Sequence, residues 1–261
     1  MTQRPSWRYI PPLEASGAMQ MAIDRYLLEQ HRQGKCLPSL RFYTWQPAAI
    51  SLGYHQRDYP RDWHELTWQN RRLDIVRRPT GGRAVLHQGD LTYAIITSIP
   101  PGKRLAVYKQ ICQFLIAGWR SLGVNLEYGV ATKEYIQQQN CFATATGADL
   151  ITDAGQKVIG SAQLRRGKSI LQHGSMTLDT DPEIYRRVFD TDLEQNLSQV
   201  LLKQKDRSTT YSQSDLAGKI RESMVRAAIA IFKIDLVEQP LSITEWQDIA
   251  NIKNEFSLQR Y

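Results

Sequence analysis

Long apolar runs are missing from this chain of 261 residues. No stretch reaches the roughly eighteen successive apolar residues that a membrane-spanning helix needs. The first residues, MTQRPSWRYIPP, hold no apolar signal-peptide core, so a soluble protein that stays in the cytoplasm is expected. Cysteine is scarce: Cys36, Cys112 and Cys141 are all there is. An odd count without C-x-x-C spacing speaks against a disulfide framework or a zinc site and suits a reducing compartment. The five histidines form no H-x-x-x-H pair, so no metal is expected. Ser161 and Ser175 follow glycines, but neither sits in G-x-S-x-G, which argues against a serine hydrolase. Internal repeats and low-complexity tracts are absent too.

What is present describes a folded protein of ordinary composition. The hydrophobic share is 42%, enough for a sizeable core in one large domain. The formal net charge of +7 favours acidic partners. No basic tract, zinc finger or RNP-like aromatic signature accompanies it, which disfavours nucleic acid.

Periodicity gives a coarse architecture. A proline-punctuated, irregular start precedes a helix over 17–32, with Ser16 as N-cap and Gly34 just past its end. Strands are expected over 40–45 and 49–52, with a turn at Gln46-Pro47. A short helix is expected over 60–71, then two strands bracketing Gly81-Gly82, and a third strand over 91–99. The clearest helix is 105–122, where Val107, Ile111, Leu115, Trp119 and Leu122 recur at helical spacing and Gly123 follows as C-cap. Turn chemistry at 153–155 and 166–168 divides 148–178 into a three-stranded meander. Helices are expected over 182–189, 214–232 and 243–256, and a polar connector over 195–214. Central strands joined by hairpins and flanked by helices indicate an α+β fold with mixed, mainly antiparallel sheets.

The densest motif is RRPTGGRAVLH (77–87). Gly81 and Gly82 can adopt angles closed to other residues and admit a ligand close to the main chain. Strand, glycine turn and strand with a cationic end suit the wall of an acyl or phosphate pocket; an ordinary hairpin with a solvated arginine pair is the alternative. Further on stand NCF (140–142), KVIGSAQ (157–163) and LQHGS (171–175). MAID (21–24), LRFYTWQPAAISLGYHQ (40–56) and LTYAI (91–95) precede them. Over about 19–179 these segments resemble, in order and spacing, the catalytic domains of lipoate-protein ligases, biotin ligases and lipoyl/octanoyl transferases. The octanoyltransferase branch is nearest, because TGGR followed by AVLH replaces the third glycine usual in ATP-using lipoate ligases.

The resemblance implies one catalytic domain over 1–261, with a helical C-terminal extension from about 182, and a larger and a smaller sheet around an acyl pocket. It implies octanoyl transfer from octanoyl-acyl carrier protein to a lysine of apo lipoyl domains (glycine cleavage H protein or 2-oxoacid dehydrogenase E2), with no cofactor. Both partners are small acidic proteins, the right sign for a basic chain. Cys141 is the implied acyl-carrying nucleophile and Lys157 its partner. A neighbouring ammonium lowers a thiol pKa and stabilises a tetrahedral oxyanion. Cys36 and Cys112 read as structural. Substrate-binding candidates are Arg77, Arg78, Gly81, Gly82, His87, Gly160, Ser161, Ala162 and His173. Backbone N–H groups near Gly81-Gly82 or Gly160-Ser161 are both candidate oxyanion donors. For His87 and His173, pocket lining or proton transfer stands beside a purely structural hydrogen bond. Arg77 and Arg78 suit a phosphopantetheine phosphate or an acidic carrier, or one of them braces the fold through a carboxylate. Two rival activities share this framework: an ATP-dependent lipoate-protein ligase, which Arg83 disfavours, and a lipoyl/octanoyl amidotransferase between lipoyl domains.

Overall fold

The computed structural model describes residues 3–98, 102–129, 149–204 and 213–258. The expected irregular start is instead a ten-residue strand, β1 (Ser6–Ala15). Its register against the next strand shifts between Ile10 and Leu13. Pro11 and Pro12 fall in that shift, where missing N–H groups break no ladder. Helix α1 (Gly17–Arg32) has the expected bounds, but Ser16 makes no side-chain cap bond. The Gly17 N–H donates to Asp74 Oδ2 at 3.0 Å instead, so the helix is capped by a distant segment.

Strands β2 (Ser39–Trp45) and β3 (Ala49–Leu52) follow. The helix expected over 60–71 reduces to a 3-10 turn, Arg61–Glu65, and a small ribbon of β4 (Thr67–Trp68) and β5 (Arg71–Arg72). Gln69 and Asn70 take positive φ at its tip, which a continuing helix does not allow. Next come β6 (Asp74–Arg77), β7 (Val85–His87) and β8 (Asp90–Ser98). After them run α2 (Arg104–Ser121), β9 (Leu126–Tyr128), β10 (Leu150–Thr152), β11 (Lys157–Arg166) and β12 (Ser169–Thr177). The last three strands form the expected meander. Helix α3 (Pro182–Phe189) also has the expected bounds, with Asp181 capping it from the side chain. The expected polar connector contains a helix, α4 (Leu197–Gln204), because Leu197 and Leu201 are buried in the core. The chain finishes with α5 (Gln213–Phe232), β13 (Asp235–Glu238), α6 (Ile243–Ile252) and a 3-10 turn at Lys253–Glu255.

The larger sheet runs β13-β1-β2-β8-β12-β11-β10-β9, and the smaller one β6-β3-β7. Among the described residues only the β1–β13, β1–β2 and β3–β6 pairings are parallel. The observed architecture is therefore the α+β arrangement of larger and smaller mixed sheets. Strand alternation builds two cores on the larger sheet. Leu91, Tyr93 and Ile95 of β8 face a cluster with α2 and α5, whereas Ala94 and Ile96 face one with α1 and α6. No helix among the described residues is long and apolar enough to cross a membrane.

A buried charge joins these layers. Asp24 of α1 is fully buried; its Oδ1 accepts from Arg41 Nε at 2.9 Å and its Oδ2 from Tyr43 Oη at 3.0 Å. His173 Nδ1 of β12 lies 2.7 Å from the same Oδ2. Burial raises the pKa of this carboxyl, but Arg41 first and His173 next pull it below the ordinary value. A depressed folded pKa means stability that is present above the unfolded value, about 4, and lost as pH falls through the folded one. Urea unfolding of Asp24→Ala near neutral pH is expected to show a loss of about 3–5 kcal/mol, as for other buried pairs stripped of one partner. Asp24→Asn should also flatten the acid limb of the stability curve below about pH 4; an unchanged limb would show that this carboxyl does not set it.

Candidate active site

β10 pairs with β11 only at its first residues, through Leu150↔Ile159 and Ile151↔Lys157. Beyond them, the Gly160–Gln163 edge of β11 has no partner strand among the described residues. A cavity of about 390 Å³ occupies the space beside that edge. Residues 160–163 and 173–175 wall it on the larger sheet, Tyr108, Leu105 and Arg104 on α2, and Ser51, Val85 and His87 on the smaller sheet. Met21, Tyr43 and Trp45 also contribute, and the lining is mostly apolar, as small-molecule sites generally are.

The glycine segment borders this cavity, but not as a hairpin. β6 and β7 pair on opposite sides of β3, so 78–84 crosses over β3 from one edge to the other. Gly82 takes φ 97, whereas Gly81 needs no positive φ. A Cβ on Gly53 would collide with the Gly82 carbonyl oxygen, so GYHQ and the glycine loop touch backbone to backbone. The arginine pair holds both loops through backbone carbonyls. Arg77 Nη1 donates to the carbonyls of Gly53 (3.0 Å) and Gln56. Arg78 donates to those of Ser51 (2.7 Å), Gly81 (2.9 Å) and Arg83 (2.6 Å), and its side chain also lines the cavity.

Both histidines are buried, and each stands between an aspartate and a hydroxyl. His87 Nδ1 is 2.8 Å from Asp90 Oδ2, and its Nε2 is 2.8 Å from Ser51 Oγ. Its ring stacks on Trp45 with centroids 3.8 Å apart. Burial lowers the His87 pKa, with Asp90 only partly opposing, so the neutral ring carries its proton on Nδ1 and accepts from Ser51. Thr92 and Ser175 donate to the same Asp90 oxygen at 3.0 and 2.6 Å. His173 runs from Asp24 to Thr80 Oγ1, which lies 2.7 Å from its Nε2, and so ties the glycine loop to the larger sheet.

Lys157 is buried at the start of β11, with Nζ 2.9 Å from Asp149 Oδ2. Asp149, not Lys157, lines the cavity. Gly160, Ser161 and Ala162 line it from the free edge. Cys141 lies outside the described residues. Positions 129 and 149, on either side of that segment, are joined by a backbone hydrogen bond of 2.9 Å. Burial pushes the Cys36 thiol up to about 11 and that of Cys112 up to about 12, which keeps both protonated and inert. Sequence reasoning passed over Asp24, Asp90, Ser51, Asp149 and Tyr108. Asp24 and Asp90 were within reach, since one closes MAID and the other follows His87 by three residues. Asp149 and Tyr108 carry no local signal.

One cavity thus gathers segments scattered over most of the chain, and comparison gives that gathering a family. The lipoyl protein ligase A/B catalytic domain matches residues 16–229, and the chain belongs to that family. Among individual relatives, it is 41% identical over 189 residues to Octanoyltransferase LipM of Brevibacillus brevis, covering 68% of each chain. It is 34% identical over 249 residues to Octanoyltransferase LipM of Carboxydothermus hydrogenoformans, covering 92% of this chain and 91% of that one. The fold is similar to that of a lipoate-protein ligase A bound with ATP, with TM-score 0.76 and 20% identity over 96% of this chain and 95% of that one.

The loop contact yields a paired test. Gly53→Ala is expected to lower Tm by at least about 4 °C, because backbone must move, while Gly81→Ala, with open space around it, should stay within about 1 °C. Equal Tm values for the two variants would remove the contact from the account.

Proposed function

We propose that this protein transfers an octanoyl group from octanoyl-acyl carrier protein to the ε-amine of a lysine on an apo lipoyl domain, through an acyl-enzyme on Cys141. The observation that carries the reading is an apolar cavity bordered at once by the glycine loop and by Asp149, which pairs with the Lys157 ammonium. Membership of the family and the two octanoyltransferase relatives support the acyl group. Cys141 enters through NCF (140–142), which resembles the family's cysteine loop.

A thioester is already activated, so the transfer needs no nucleotide. The Cys141 thiolate attacks the octanoyl carbonyl carbon, and the π electrons move onto oxygen. Collapse of that oxyanion expels the carrier thiol, which leaves with a proton. The neutral lysine amine of the lipoyl domain then attacks the acyl-enzyme, gives up a proton and displaces the Cys141 thiolate, leaving an amide. Two modest barriers replace one high one. A free thiol with a pKa of about 8.5 is mostly protonated at neutral pH, so a nearby cation is required. Lys157 is that cation in this reading, and Asp149 holds its ammonium in place. Gly81-Gly82, Gly160, Ser161 and Ala162 bound the acyl chain. His87 and His173 fix the loops that shape the cavity. Arg77 and Arg78 support those loops, and Arg78 adds positive charge to the cavity wall.

Octanoyl-acyl carrier protein with an apo lipoyl domain should yield octanoylated domain, and intact-mass measurement should find one hydroxylamine-labile octanoyl group on the enzyme. Cys141→Ala should abolish both while leaving the far-ultraviolet circular dichroism unchanged. An enzyme never labelled during turnover would end the covalent mechanism. Modification that instead depends on lipoate and ATP, with release of pyrophosphate, would transfer the assignment to a ligase.

A further inference from the structure

We propose that Lys103, Arg104 and Arg165, gathered at the mouth of the cavity, form the surface on which the acidic protein carrying the acyl thioester docks. This rests on the octanoyl-transfer reading and names where its donor lands. Exposure locates the mouth. Gly82 apart, Arg104 and Leu105 are the only exposed residues among those described that line the cavity, and Leu105 is 50% exposed. Both stand at the start of α2, and Lys103, which precedes them, is exposed as well. From β11, Arg165 Nε donates to Oε1 of the cavity-lining Gln163 at 3.0 Å, and its Nη1 donates to the Gly102 carbonyl at 3.3 Å. The strand and the start of the helix thus bring three cations to one opening.

Nothing nearby cancels their charge. Among the described residues no carboxylate forms an ion pair with any of the three. The sequence supplies none locally either, since no aspartate or glutamate lies between Asp90 and Glu127 or between Asp153 and Asp179. Those acid-free stretches build α2, β11 and β12, so the positive balance of the chain is concentrated in elements beside the cavity. Asp149 is the carboxylate on the cavity wall, but it is buried and paired with Lys157, away from the exposed rim. Half-exposed Leu105 adds an apolar centre to the basic rim, the common anatomy of a protein interface. Charge also selects between the two substrates. The donor brings the phosphodiester of its pantetheine arm to the mouth, whereas the acceptor brings a lysine ammonium that these cations repel. The surface therefore fits the carrier, not the lipoyl domain. Steering of this kind raises encounter rates by about 10–10³-fold at low salt.

The full chain carrying both Lys103→Glu and Arg104→Glu tests this with two donors: octanoyl-acyl carrier protein, and octanoyl-pantetheine, which has neither phosphate nor protein. Charge reversal should lower the ratio of kcat/KM for the carrier-bound donor to that for the free one by about tenfold or more at low ionic strength. The loss should shrink as salt is added. Lys103→Glu alone, outside the cavity wall, should show a smaller loss in the same direction, and keeps the test open if the double variant folds poorly. Lys253→Glu, on the turn packed against α1, makes an equal charge change and should leave the ratio within about twofold. KM for the apo lipoyl domain should not rise in any of them. An unchanged ratio in folded variants overturns the proposal. A rise in KM confined to the lipoyl domain also overturns it, since the surface would then belong to the acceptor. Both leave octanoyl transfer standing. A wild-type enzyme that turns over neither donor would instead bring down the transfer reading and this inference with it.

Discussion

The structure depends on one carboxylate. Asp24 sits between α1 and the larger sheet with no access to solvent, where an unpaired charge could not persist. Arg41 and Tyr43 of β2 and His173 of β12 satisfy it, so a helix and two strands are held in one fixed relation. Through the far nitrogen of His173 the constraint extends to Thr80, at the entrance to the glycine loop. The loop's position is thus set by a charge buried beneath α1. Asp90 repeats the device for β7, with His87 passing the constraint on to Ser51 of β3.

These two relays explain how a cavity can exist where two sheets meet. Among the described residues the Gly160–Gln163 edge of β11 has no partner strand, and such an edge ordinarily attracts one. Here the smaller sheet stands away from it, held by His173, while α2 covers the other side. The arginine pair keeps the two loops above the cavity from separating, by donating to carbonyls of both. Few charges reach the cavity wall itself, so an alkyl chain meets carbon over most of its length.

Much of this was legible in sequence where local physics governs. α1 and α3 have the expected bounds, and β3 and the meander follow directly from alternation and turn residues. Two misreadings share a cause, namely partners distant in the chain. Residues 6–15 became a strand because β2 and β13 lie on either side, which two prolines within them concealed. Leu197 and Leu201 became helical because a core lies beneath them, although the surrounding composition is polar. The bracketing strands of the glycine loop were correctly expected, but their common partner β3 cannot be seen from spacing. In the candidate site, the glycine loop, both histidines and Gly160–Ala162 were named from motifs, whereas Asp24 and Ser51 were passed over although each lies in one. Asp149 and Tyr108 were missed because their place on the cavity wall arises from position alone, Asp149 also facing a lysine. Cys141 lies outside the described residues, so its role stands on the motif and on the chemistry it enables.

The parallel pairing of β1 with β13 has a consequence for biogenesis. Ser6 aligns with Asp235, and Arg8 reaches Glu245 across 237 positions of sequence, at 2.6 Å. A ribosome extends a chain at roughly 5–20 residues per second. The opening strand therefore waits on the order of ten seconds or more with one flank unzipped. Few contacts in a protein of this size are so non-local, and such topologies fold slowly. Trp7, whose ring stacks on Phe232, is an apolar group left without shelter during that interval. Only when Asp235–Glu238 and the helix that carries Glu245 have been made can that flank close and Arg8 reach its carboxylate.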